Sequence, residues 1–137
     1  ISAFAPSRGQ VMLNRVEFSD NVNSVFLVGD LDTTIRDVVV HRGGNGISVL
    51  TNAIVPPVAT VSIERTTIAN GWYGLFVDGV NGGAEVVLSD STIVGNANSG
   101  YMITPGSLPT AKILSRGNNT VYGNGPNQGT LTPLPNT

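Results

Sequence analysis

The chain has no cysteine, a single lysine, a single histidine and a single tryptophan among its 137 residues. Without cysteine there is no disulfide and no thiolate metal site, and composition gives no clue to the redox compartment. Charged residues make up only 12% and the formal net charge is −2, so nothing draws the chain toward nucleic acid or an anionic membrane. No apolar run approaches the roughly 18 residues of a transmembrane helix. Apolar residues recur at i, i+2 and are never sustained at i, i+3, i+4, i+7, which argues against amphipathic helices.

What is present is glycine (17), asparagine and a 40% hydrophobic fraction. That is too apolar for a disordered chain and too glycine-rich for a helical one. The length suits one domain with a real core.

Two stretches, "ATVSIERTTIANGWYGLFVDG" from Ala59 and "AEVVLSDSTIVGNANSGYMITPG" from Ala84, share one pattern with few shared letters. A first alternation (Val11/Leu13, Thr33/Ile35, Val61/Ile63, Val86/Leu88) leads to a second (Val16/Phe18, Val38/Val40, Thr66/Ile68, Ser91/Ile93). An Asn/Gly turn then leads to a third (Val25/Leu27, Ile47/Val49, Leu75/Val77, Tyr101/Ile103). Leu13, Ile35, Ile63 and Leu88 follow one another at 22, 28 and 25 residues, the period range of solenoids. Val, Ile and Thr dominate these runs, so the units are strands. The pattern predicts an all-β parallel β-helix of about five coils over 1–124, with three short strands per coil and a core of Val, Ile, Leu and Phe. Residues 125–137 lack alternation and are expected to form an irregular cap or linker.

The loops absorb the unequal spacing. Leu50–Ala59, with Pro56-Pro57, is the long one and should lie outside the sheet. "AKILSRGNNTVYGNG" reads as a fifth coil with about two extra residues. "ISAF" at Ile1–Phe4 matches the third strand of a coil, which gives the expectation of a start in mid-coil. The opening residues carry neither Met nor a signal pattern, as expected of a processed chain or a fragment.

The stretches "VVVHRGGNGISV", "TTIANGWYGLFV", "STIVGNANSGYMI" and "GNNTVYGNG" resemble the right-handed parallel β-helix repeat proteins of bacteria, within the pectate-lyase-like superfamily. The resemblance implies right-handed coiling and an extracellular or cell-surface location. It carries over no catalytic residue, because no motif of that kind stands in this chain.

Several columns run through the repeat. Two residues beyond Leu13, Ile35, Ile63, Leu88 and Leu114 stand Arg15, Asp37, Arg65, Asp90 and Arg116, alternating in charge. At a strand spacing of roughly 4.8 Å this reads as a register-fixing salt-bridge ladder before it reads as a charged glycan groove. Asn21, Asn70, Asn96 and Asn124 fall near one turn, where stacked amides can bond along the axis. Gly46, Gly74 and Gly100 mark the next turn, read as positions of positive φ. No helix follows them, so they are not a phosphate loop.

A lyase would need clustered carboxylates for Ca²⁺, and a hydrolase two opposed carboxyls. The acids are dispersed. Only Asp30 and Asp32 pair locally, in what reads as a loop, and His41 has no acid near it in sequence. No catalytic, metal or cofactor site is assigned, and the enzyme reading is disfavoured. Asn118–Thr120 is a glycosylation sequon, a short and common pattern.

If Val25/Leu27, Leu75/Val77 and Tyr101/Ile103 face inward, then Phe26, Phe76 and Met102 face outward, with Ser48 interrupting their column. Trp72 and Tyr73 lie at the turn leading in. Outward stacked apolar groups mark a contact surface, unless the Leu50–Ala59 loop or the tail folds over them. Both readings stay open. The function that follows is a non-catalytic secreted or surface module for assembly or adhesion, self-stacking into an oligomer or filament. The alternative is a carbohydrate-binding or carbohydrate-active module with polysaccharide as partner.

Overall fold

The computed structural model describes residues 1–51, 58–80, 82–105 and 110–134. It contains twelve strands and no helix among them: β1 (Ser2–Asn14), β2 (Glu17–Ser19), β3 (Asn23–Arg36), β4 (Val39–Leu50), β5 (Val58–Glu64), β6 (Thr67–Asp78), β7 (Gly83–Ser89), β8 (Thr92–Val94), β9 (Ser99–Ile103), β10 (Ala111–Ser115), β11 (Thr120–Tyr122) and β12 (Leu131–Pro133). Every pairing is parallel and joins one coil to the next. The long strands β1, β3, β4 and β6 run through corners, so each contributes to two faces of the solenoid.

The three expected alternations appear as three stacked columns. On the first face Ile35 pairs with Leu13 and Ile63, and Ile63 with Leu88. The second stacks Phe18, Val40, Ile68, Ile93 and Val121. On the third, Leu27, Val49, Val77 and Ile103 stack, and Ser2–Phe4 continue the column against Phe26–Val28. Ile35, Ile63, Leu88, Ile68, Ile93, Leu75 and Val77 are fully buried in the resulting core. Each apolar side chain meets like neighbours one rung above and below, and burial of each contributes about 1.5–3 kcal/mol. None of the four phenylalanines is fully buried: Phe4 is exposed, and Phe18, Phe26 and Phe76 lie at intermediate depth. Aliphatic side chains fill the interior, and of the four phenylalanines only Phe18, on Val40, packs against it from one of the inward columns.

Four coils are complete rather than five. In the fifth, the third strand shrinks to one bridge between Met102 and Gln128, because the Gly- and Pro-rich "GNGPNQG" cannot sustain alternation. The fifth coil also sits one step out of the expected register: Ser115, not Leu114, pairs with Leu88. Val121 pairs with Ile93, so the intervening corner carries one extra residue rather than two. The tail is not wholly irregular. Residues 131–133 form β12 on β10, adding a rung to the first face.

Two corners of each coil turn on a single left-handed residue. At the first corner these are Arg15 (φ 56°), Asp37 (54°), Arg65 (46°), Asp90 (49°) and, in the fifth coil, Gly117 (81°). At the second they are Asp20, Arg42, Asn70, Gly95 and Gly123. The left-handed region costs a residue with a Cβ roughly 1–2 kcal/mol. The charged column from Arg15 to Asp90 thus occupies left-handed backbone, as do Asp20, Arg42 and Asn70 at the second corner.

Gly46, Gly74 and Gly100 do not have positive φ, contrary to expectation. They are glycines because of close approach. A Cβ on Gly74 would lie 2.3 Å from the Gly100 carbonyl oxygen, and one on Gly46 2.5 Å from that of Gly74. The asparagine stack is shorter than expected. Asn96, wholly buried, accepts from the Gly71 N–H (3.0 Å) and donates to Asn124 Oδ1 (2.9 Å). Asn70 sits one position earlier, on the left-handed corner, and the Asn21 amide bonds Ser19 in its own coil.

Candidate functional site

The third face carries the outward residues. Phe26, Ser48, Phe76 and Met102 form one column in register, continued by Gln128. Phe26 and Phe76 stand two rungs apart, about 10 Å, with Ser48 sunk between them at 1% exposure. The Ser48 hydroxyl has no hydrogen-bond partner, which costs roughly 1–3 kcal/mol. Tyr73 meets Phe76 edge-on, with centroids 5.9 Å apart and planes at 66°, the arrangement aromatic quadrupoles favour. Trp72 is 55% exposed. The rung beneath it is Gly44, between the paired Gly43–Gly71 and Asn45–Tyr73, so no side chain stands at that position of the next rung.

A second outward column escaped the sequence reading. Two residues further along the same strands, Phe4, Val28, Leu50 and Asp78 stack in register, with Phe4 66% exposed. The same alternation, read two positions on, would have found it. The described part of the tail stacks above the coils, Gln128 on Met102 and β12 on β10, rather than over the column. Most of the Leu50–Ala59 loop lies outside the described residues.

The charge ladder holds in part. Asp37 receives two hydrogen bonds from Arg65, at 2.8 and 3.0 Å. Glu64 is shared between Arg36 (3.1 Å) and Arg65. Arg15 acts on Asp37 through its charge. Asp90 is bonded by Asn118, through the Asn118 amide (2.7 Å) and at its own backbone N–H (3.0 Å). Arg116 is therefore not the fifth rung: its N–H bonds the Leu88 carbonyl (3.1 Å), one step out of the column. The sequon asparagine is thus engaged with Asp90.

A second ladder lies at the next corner. Arg42 holds Asp20 bidentately, at 3.2 and 3.1 Å. His41, which has no acid nearby in sequence, meets Glu17 of the coil below at 2.8 Å. Asp30 and Asp32 lie in β3 rather than in a loop, and Arg8 approaches them at 3.9 and 3.6 Å. Most of these contacts run along the axis from one coil to the next, while Arg65 also meets Glu64 of its own coil. Among the described residues no group of three or more His, Cys, Asp or Glu is placed to hold a metal ion.

The hydrogen bonds from Arg42 and Arg65 hold the Asp20 and Asp37 carboxyls below the usual carboxylate range, against a smaller opposing effect of desolvation. A carboxyl that titrates lower when folded stabilises above its unfolded value and loses that contribution as pH falls through the folded one. Both pairs are exposed, so the effect is small. Thermal midpoints should stay flat from pH 7 to about 5 and fall below about pH 4. The double variant Asp20→Asn, Asp37→Asn should show a shallower acid limb. Equal steepness in variant and parent would refute the assignment.

No curated protein and no solved structure matches the chain. A family model described as "Right handed beta helix region" matches residues 4–131, nearly the whole chain. With the parallel three-faced stack already described, this shows that the chain belongs to the right-handed β-helix family.

Proposed function

We propose that the chain is a non-catalytic β-solenoid module of a secreted or cell-surface protein, serving assembly or adhesion by self-association through the third face. The observation that carries the reading is the outward apolar column of Phe26, Phe76 and Met102, braced by Tyr73 and flanked by Phe4, Val28 and Leu50. A solvated β-face has no need of an outward column holding two phenylalanines and a methionine, whereas sheet-on-sheet packing does. Particle size measured by light scattering over a concentration series, with electron micrographs of the same samples, tests it. The expected result is a defined oligomer or filament that Phe76→Asp disperses. A parent chain that stays monomeric at every concentration would end the proposal.

A second reading is favoured by Trp72, exposed above Gly44. An exposed indole suits stacking of a sugar ring, which would make this a carbohydrate-binding module. Trp72 is the only tryptophan, so a saturable fluorescence change on titration with soluble polysaccharides, absent in Trp72→Ala, is the expected signature.

A further inference from the structure

We propose that residues 117–130 form a lid on the fourth coil, hinged at Gly117 and anchored at both ends by β10 and β12, that opens while the coils beneath stay folded. The anchors are firm on one side: Ala111 and Ile113 of β10 are fully buried, and Ile113 pairs with Leu131 of β12. Between them only Val121, half-buried on Ile93, packs against the core. No residue from Arg116 to Leu134 is buried. Backbone pairing across the lid is confined to the three residues of β11 on β8, the bridge at Gln128 and a few corner bonds.

The lid is held instead by asparagine side chains that imitate the peptide groups of a regular rung. Asn119 Oδ1 accepts the Ser91 N–H (2.9 Å) and its Nδ2 donates to the Leu88 carbonyl (2.8 Å). Asn124 does the same for Asn96 N–H and the Ile93 carbonyl, both at 2.9 Å. Asn127 Oδ1 takes the N–H groups of Gly100 and Tyr101, at 3.0 and 3.1 Å. Such bonds satisfy the donors of coil four while the lid is closed, and water replaces them when it opens. Apolar burial, which would tie the segment to global unfolding, is nearly absent here. At the hinge, Gly117 has φ 81° and open space around its Cα. Opening uncovers the edges of β8 and β9 and the tops of Ile93 and Ile103.

Native-state hydrogen exchange on the parent chain tests this. The amides of Thr120–Tyr122, and those of Ser91, Asn96, Gly100 and Tyr101, should share one opening free energy, well below that of β4 and β6. Asn124→Ala should speed exchange of this set about tenfold and leave β4 and β6 unchanged. Exchange of the set at the same free energy as β4 and β6 would overturn the proposal, as would acceleration of all coils together in Asn124→Ala. The parent measurement alone decides if the variant fails to fold.

Discussion

Gly74→Ala is expected to destabilise the chain by more than about 3 kcal/mol, a large share of the roughly 5–15 kcal/mol that holds a domain folded. Its new methyl group would lie 2.3 Å from the Gly100 carbonyl oxygen, 2.8 Å from Ile93 Cγ2 and 3.0 Å from Asn96 Nδ2. The first obstacle is backbone of the next coil. It can retreat only by spreading rungs held at roughly 4.8 Å by their hydrogen bonds. The third is the buried asparagine that bonds Gly71 and Asn124. Gly117→Ala is the informative control, since nothing lies within 4 Å of a Cβ there. It should cost only the strain of a left-handed alanine, roughly 1–2 kcal/mol. Urea unfolding of both variants checks this, and a Gly74→Ala midpoint no lower than that of Gly117→Ala would refute the close-approach account.

Ile63→Ala should cost about 2–5 kcal/mol. Ile63 is fully buried, with Ile35 on the rung below and Leu88 on the rung above. In a globular core neighbouring elements relax into a new void. Here the flanking strands are held in register on both sides, so the cavity persists and the loss lies toward the upper part of that range. Val22→Ala, at an 81% exposed corner position, should change stability by no more than about 0.5 kcal/mol. The two midpoints in one denaturant series settle the comparison. A small loss at Ile63 would mean that the coils slide or collapse more readily than parallel pairing allows.

The difference between what could be read early and what could not follows the range of the forces. Alternation of Val, Ile and Leu is local, and period 2 places every second side chain inward whatever lies in the next coil. So the strand type, the three strands per coil and the outward set of Phe26, Phe76 and Met102 were legible, as was the matching of "ISAF" to a third strand. The spacing of Asp37 and Arg65 was legible too, because their loops happen to keep the corner in step.

By itself the sequence determined the parallel solenoid, its inward columns and the outward aromatic residues, since each rests on a local period repeated. Apart from Asp37 and Arg65, tertiary structure decided which polar groups meet. His41 found Glu17, Arg42 found Asp20, and Asn118 took the place expected of Arg116. One extra residue at a corner shifts every polar partner, while the alternation on either side survives it. The charged residues on left-handed corners and the glycines forced by a carbonyl 2.3 Å away belong to the same class. They answer to a neighbouring coil more than twenty residues distant, and only stacking brings that coil within contact.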